Sequence, residues 1–266
     1  MLGAIIGDIV GSIYEFSNIR TKEFMLFDPK CFFTDDTVMT VAVFEALASC
    51  KNKYDNLSKK TIKEMKRYGK IYPNKSYGGN FRRWLMAKDS KPYNSFGNGG
   101  AMRVSSVAYF ANSIEEVKEL SRKVTEVTHN HPEGIKGAEA TAVAIYLALN
   151  KKTKEEIKEY IETNYYKLDF DYEELKETYL FNETSQDTVP QALYCFFVSN
   201  DFEDAIRTGI SIGGDSDTLC AITGAIAEAY YGISEIHRNI ALSYLDKRML
   251  KSYNKFNKYK EKWSLR

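Results

Sequence analysis

The sequence predicts an all-α protein, and three observations carry that prediction. Apolar residues recur at helical spacing in segment after segment. Helix-start signals of the type Ser/Thr-x-x-Glu stand ahead of two of these segments. No sustained alternation of apolar and polar residues marks a half-buried strand.

The elements follow in order. Gly3, Gly7 and Gly11 recur every four residues, which on a helix makes one smooth stripe, continued by Glu15, where another backbone can approach. Each glycine costs about 1 kcal/mol of helix propensity relative to alanine, so close packing must offset it. Residues 38–50 are apolar and Ala-bearing, a buried helix whose start carries Thr34, Asp35 and Asp36. Residues 58–70 form a Lys-rich, more exposed helix with Ile62 and Met65 as inward positions. Residues 73–103, rich in Gly, Asn, Ser and Tyr, read as one long loop, and such loops in compact domains are often functional.

Ser113 with Glu116 reads as a capping box for a helix to about Thr128, and Thr153 with Glu156 as another. Residues 137–150 carry Val143, Ile145, Leu147 and Leu149 among alanines, apolar on most sides and therefore central. Residues 165–186, mixed in charge and aromatic, read as part of a cleft rim, with no chemistry of their own. Thr188-Val189-Pro190 sets up a helix with Pro in its first turn, running through Phe196 and Phe197 towards Asn200. Asp201 caps the next helix, 202–211; residues 219–231 form another, ended by Gly232; Ser234 opens the last helical region. The Lys-rich tail, 247–262, interleaves Tyr253, Phe256 and Tyr259 with bases, a pattern that nucleic-acid contact would fit, but a solvated basic face with the aromatics packed inward is the preferred reading.

Composition bounds the function. With 266 residues, 44% apolar, 27% charged and only 5 Pro, the chain reads as a single domain, residues 1–266, with no linker. Its 37 basic and 36 acidic residues nearly cancel, so no overall field recruits nucleic acid or an anionic membrane, and a nucleotide-like ligand needs a local site. Cys31, Cys50, Cys195 and Cys220 lack C-x-x-C spacing and read as buried thiols, as in a reducing cytoplasm. Asp8 and Glu15 interrupt the apolar first sixteen residues, which argues against a signal or membrane segment.

Chemistry concentrates in two acidic clusters, Thr34-Asp35-Asp36-Thr37 and Asp215-Ser216-Asp217-Thr218, about 180 residues apart. Each opens a helix, and capping is the plain explanation of either one alone. One helix start needs about one capping side chain, however, and each cluster offers two carboxylates and a threonine. The surplus anions call for a cation, and an oxygen-only donor set suits Mg²⁺, Mn²⁺ or Ca²⁺. Ser95-Phe96-Gly97-Asn98-Gly99-Gly100-Ala101-Met102-Arg103 is a glycine-rich turn able to converge N–H groups on an anion. Thr128-His129-Asn130-His131-Pro132 is a poor zinc site; a histidine hydrogen-bonding a ligand or the backbone fits it better.

Taken in order, Gly7-Asp8-Ile9-Val10-Gly11-Ser12-Ile13-Tyr14-Glu15, the first acidic cluster, Gly97 to Arg103, Thr128-His129 and Gly213-Gly214-Asp215-Ser216-Asp217-Thr218 resemble the ADP-ribosylglycohydrolases, the family containing dinitrogenase reductase-activating glycohydrolase. The resemblance covers the chain from Met1 to about Gly232. It implies an orthogonally packed helical domain that cleaves ADP-ribose from a protein side chain or small conjugate with two Mg²⁺ or Mn²⁺ ions. It further implies Thr34, Asp35, Asp36, Asp215, Asp217 and Thr218 as metal ligands, and Glu15, on a mobile segment, or Asp36 as catalytic groups. Ser95, Phe96, Gly97, Asn98 and Gly99 would line the ADP-ribose site, with His129 beside its distal part. The expected partner is an ADP-ribosylated protein or conjugate, with no membrane, nucleic acid only as an ADP-ribosylated substrate, and a monomeric chain. Two readings compete: a non-catalytic ADP-ribose-binding or crystallin-like structural protein, and a Mg²⁺-dependent nucleotide phosphohydrolase. Neither cluster has the spacing of an EF-hand loop.

Overall fold

The computed structural model describes residues 1–263. Thirteen α-helices lie among them: α1 (Leu2–Gly11), α2 (Asp35–Ser49), α3 (Leu57–Ile71), α4 (Gly79–Met86), α5 (Ile114–Thr125), α6 (Pro132–Leu149), α7 (Lys154–Asn164), α8 (Tyr172–Thr178), α9 (Ser185–Val198), α10 (Phe202–Ile212), α11 (Ser216–Tyr231), α12 (Glu235–Ser243) and α13 (Lys247–Trp263). Among the described residues the only strand-like feature is one antiparallel bridge, Gly97 to Thr184. The fold is all-α, and none of its helices is long and apolar enough to cross a membrane.

The glycine stripe of α1 is explained by α11. A Cβ at Gly3 would lie 2.0 Å from the Gly224 carbonyl oxygen, and one at Gly7 would lie 2.0 Å from that of Cys220. Only glycine permits two helices to run this close. Gly224 returns the favour, because a Cβ there would meet the Gly3 carbonyl at 2.3 Å. Glu15 does not continue the stripe: α1 stops at Gly11, where Ser12 bonds its N–H back to the Asp8 carbonyl, and the chain turns away. α6, α9 and α10 complete the surroundings of α11, which is buried over most of its length. α2, capped by Thr34, packs its far end on α13 through an edge-on contact of Phe44 with Phe256, ring centroids 5.5 Å apart.

Several boundaries differ from the sequence reading, each for a local reason. The 73–103 stretch contains α4, whose buried Phe81 and Trp84 at i and i+3 are too short a signal amid Gly and Asn. α3 turns Leu57, Thr61, Met65 and Tyr68 inward, while Ile62 is only half-buried. The Thr153 capping box is complete, but Glu116 accepts from Asn112 N–H (2.8 Å) and not from Ser113, so that box is half made. α5 ends at Thr125, one turn short of Thr128. α6 starts five residues early because His131 Nδ1 accepts from Glu133 N–H (3.1 Å) and Pro132 fits the first turn. α9 begins at Ser185, which leaves Pro190 inside it. Residues 165–186 include the short α8, capped by Asp171, and the region after Ser234 divides into α12 and α13. All four cysteines are buried and free.

Glu228 on α11 ties α1 and α13 together. Its Oε2 accepts from Gly3 N–H (2.8 Å) and from the Met1 amino group (2.7 Å), and its Oε1 accepts from Lys260 (2.9 Å). Burial alone would push its carboxyl up, yet these partners together hold it well below the usual carboxylate range. Glu228→Gln is therefore expected to destabilise the fold by about 3 kcal/mol near neutral pH. Because the folded value lies below the ordinary one, this contribution is complete above about pH 4.5 and fades as pH falls through the folded value. Thermal melts of both proteins across acid pH check this, and a gap that widens on acidification contradicts it.

Candidate active site

The route from sequence to site runs through Asp8, the one carboxylate inside the apolar α1. Its oxygens accept from Thr34 N–H (2.9 Å), Thr34 Oγ1 (2.6 Å) and Thr37 N–H (3.0 Å), so it caps α2 from outside. At the end of the same helix, Gly11 lies so close to α11 that a Cβ would sit 2.3 Å from the Asp217 Cα. α1 is thus a bracket that sets the start of α2 beside the start of α11. Thr218 Oγ1 accordingly donates to Asp36 Oδ2 at 3.2 Å.

The capping explanation does not use up the carboxylates. Thr34 and Asp8 already serve the α2 N–H groups, while Asp215, at the N-cap of α11, makes no side-chain capping bond. Asp215 Oδ2 instead accepts from Asn98 Nδ2 (2.7 Å), an orienting contact from the glycine-rich loop. Carboxylate oxygens of Asp8, Asp36 and Asp217 lie within 4.8 Å of one another, and so do those of Glu15, Asp215 and Asp217. Asp36 Oδ1 is buried without a hydrogen-bond partner. Desolvation, then the neighbouring carboxylates, raise Asp35, Asp36 and Asp217 far above the usual range, and bring Asp215 to about 7 and Glu15 to about 8. The two helix N-termini offset part of this repulsion. An orphaned anionic oxygen among crowded carboxylates fits hard divalent cations, whose preferred donors are oxygens.

The other wall is built for a polar ligand. Asn98 N–H donates to the Glu183 carbonyl (2.8 Å), Ser185 N–H to that of Phe96 (2.8 Å), and Ser185 Oγ to that of Gly97 (2.8 Å). These bonds fix the loop against the segment ahead of α9. Buried Arg103 donates to Thr128 Oγ1 (2.7 Å), and that hydroxyl lies 2.7 Å from His129 Nδ1. Thr128 Oγ1, which also lies 3.4 Å from the Thr125 carbonyl, ties up Nδ1 and so fixes the ring with Nε2 as its free nitrogen. Burial and the Arg103 charge hold His129 well below its ordinary value, so the ring is neutral. Its Nε2 would lie 3.3 Å from a Cβ placed on Gly99, so the loop glycines leave it open to the cleft.

Of the residues singled out from sequence, Glu15, Asp35, Asp36, Ser95, Gly97, Asn98, Gly99, His129, Asp215, Asp217 and Thr218 line one cleft. Thr34 lies behind it, buried, with its hydroxyl on Asp8. Phe96 is turned outward against His131, ring centroids 5.3 Å apart. Two carboxylates were not singled out. Asp8 had a usable signal, a lone charge within an apolar helix; Glu183, which lines the cleft, lies in the 165–186 segment, where no pattern marks one residue over another.

The chain as a whole is similar to known proteins. Residues 1–261 match the family described as ADP-ribosylglycohydrolase. The chain is 26% identical to proteins named ADP-ribosylhydrolase ARH3 from Mus musculus and Homo sapiens, over 89% of its length and 84% and 85% of theirs. It is 29% identical to ADP-ribosylarginine hydrolase Tri1 of Pseudomonas putida, across 52% of this chain and 39% of that one. A solved structure titled ADP-ribosylglycohydrolase-related protein complex superposes with a TM-score of 0.66 at 23% identity, covering 99% of this chain and 95% of that one. From the order of its motifs, its helical fold and this match along nearly its full length, the chain belongs to the ADP-ribosylglycohydrolase family.

Proposed function

We propose that this enzyme hydrolyses the glycosidic bond between ADP-ribose and a modified protein side chain or small conjugate, assisted by two Mg²⁺ or Mn²⁺ ions. The carrying observation is the meeting of two acidic helix starts at one cleft, with Asp36 Oδ1 left unsatisfied. The names of the relatives, an ADP-ribosylhydrolase and an ADP-ribosylarginine hydrolase, support the reaction class. Asp35, Asp36, Asp215, Asp217 and Thr218 are the residues to hold the cations, whereas Thr34, which the family resemblance also implied, has its hydroxyl on Asp8 and with it fixes the start of α2 behind them. Held by these residues, such ions would supply Lewis-acid chemistry, polarising hydroxyl oxygens and making water a better nucleophile near neutral pH.

The chain's own residues supply the rest. Cleavage at the anomeric carbon develops positive charge on the ribose, which the surrounding carboxylates stabilise. As the water oxygen bonds the anomeric carbon and the bond to the side chain breaks, Glu15, half-buried at the cleft, takes the water's proton, with Asp36 as the other carboxylate placed for it, and the departing side chain takes up a proton from solvent. His129 Nε2 hydrogen-bonds a hydroxyl of the ADP-ribose moiety, Ser95 to Gly99 form its wall, and Asn98 keeps Asp215 in register. The retained carboxylates speak against a non-catalytic role, since an idle site keeps mutually repelling charges to no purpose.

The deciding experiment offers arginine-, serine- and nucleic-acid-linked ADP-ribose and small conjugates, each with Mg²⁺ and with chelator. Chelator-sensitive release of ADP-ribose from at least one is expected. Release from none sinks the reading; binding of ADP-ribose alone favours a binding module, and phosphate release from nucleotides a phosphohydrolase. Glu15→Gln is expected to lower kcat about 10²–10⁴-fold and to flatten the acidic limb of the pH profile, since a base must lose its proton to act. An unaltered limb in that variant removes Glu15 from the role.

A further inference from the structure

The near-zero net charge conceals a segregation. Residues 57–91 and 247–262 hold eighteen of the 37 Lys and Arg but only three of the 36 Asp and Glu, an excess of +15 that leaves −14 on the remainder. Folding gathers the two segments onto one side. α3 and α13 flank a groove lined by Arg67, Lys247, Arg248, Lys251, Lys255 and Lys258, with Glu45 its one carboxylate. On its other flank α3 shares a second groove with α4, where Lys66, Lys70, Arg82 and Lys88 converge without any carboxylate. α4 in turn begins at Gly79 and Asn80, which line the cleft. A basic surface therefore runs from α13 across α3 and α4 to the cleft mouth.

This charge is largely uncompensated. Among the described residues only Arg67, Lys91, Lys255 and Lys260 of the eighteen make ion pairs. Along α13, Arg248, Lys251, Lys255, Lys258 and Lys262 follow at spacings of three and four, one face on which neighbouring like charges repel. An external row of anions relieves that repulsion. The apolar side of α13, with Met249, Tyr253 and Phe256, is buried in the core, so the helix has no wedge to insert into a bilayer. Fourteen of the eighteen are lysines, point charges spread over a long surface, which suits a line of phosphates better than a carboxylate sought by a guanidinium fork.

We propose that the α3–α4–α13 face docks the phosphate backbone of a nucleic acid, without reading its bases, beside the mouth of the cleft. This binding does not depend on the hydrolase reading. The test is fluorescence anisotropy of mixed-sequence single-stranded and duplex oligonucleotides, unmodified, across a salt series. Expected are a Kd on the order of 10⁻⁴ M or tighter near physiological salt and an affinity falling linearly with salt on logarithmic axes. The triple substitution Lys70→Glu, Lys251→Glu, Lys258→Glu, all exposed side chains, is expected to weaken binding at least tenfold. It should also flatten the salt slope by about two to three, with an unchanged thermal melt. Asp36→Asn should bind as the wild type does, which separates this surface from the cleft. No binding near physiological salt, equal binding by the triple variant, equal competition by polyglutamate, or preference for phosphatidylserine vesicles would each overturn the proposal.

Discussion

Asp36→Asn and Asp217→Asn are each expected to lower turnover by at least about 10²–10³-fold, the usual consequence of removing one preorganised electrostatic group from a reacting centre. The same substitutions are expected to stabilise the chelator-treated protein near neutral pH, by on the order of 1–3 kcal/mol, the scale of leaving a buried polar group unsatisfied. The sign follows from the direction of the shifts. Burial and neighbouring carboxylates raise both groups above their ordinary values, so the unfolded chain gives up these protons before the folded one does. Stability is thus complete below the unfolded value and declines as pH rises through the folded one. The amide variants escape that decline, and their advantage should vanish in mild acid. Melts of chelated protein across this pH range, beside turnover measured with Mg²⁺, check both halves. Full activity in both variants removes the carboxylates from the reaction; variants less stable than wild type at neutral pH show that some neighbouring group already neutralises the cluster.

Gly7→Ala carries the second large expectation, a loss of about 3 kcal/mol or more despite alanine's better helix propensity. Propensity offers about 1 kcal/mol in favour. Against it, the new methyl would stand 2.0 Å from the Cys220 carbonyl oxygen and 2.5 Å from the Ala221 nitrogen. Those are backbone atoms of α11, which cannot yield as a side chain would, so overpacking wins. Gly11→Ala presses on the Asp217 Cα and should therefore also cost activity, since small misplacements at a reacting centre are amplified into large rate losses. Gly78→Ala is the control: nothing lies within 4 Å of its added Cβ and its φ of −55° suits any residue, so little change is expected. Urea denaturation of the three variants ranks them. Gly7→Ala as stable as Gly78→Ala would mean that α1 and α11 slide apart at little cost.

Much of this was legible in the residues, and the exceptions have physical causes. Thr34, Asp35, Asp36, Asp215 and Asp217 stand out because a helix start has no use for so much acid. The glycine stripe announced a close approach, though not that α11 was its partner, since a smooth surface does not name what lies on it. Asp8 was hidden by its setting: a carboxylate among Ile5, Ile6 and Ile9 looks like an interruption until the α2 N–H groups it serves are in view. α4 was lost in a glycine-rich stretch because two buried aromatics over eight residues make no periodicity. Spacing alone does not tell His131 from His129; the family resemblance marked His129, and the turn between α5 and α6 shows why, since His131 caps α6 while His129 lines the cleft.

The bracket formed by α1 has a consequence for biosynthesis. Asp8 and Asp36 emerge early from a ribosome, whereas Asp217 follows about 180 residues later. Until α11 has been made and has docked, the early carboxylates have no counterpart, and a divalent ion meets only a loose pair. Capture of an ion by both clusters together would therefore be confined to a nearly finished molecule, and loading with metal would report that folding is complete.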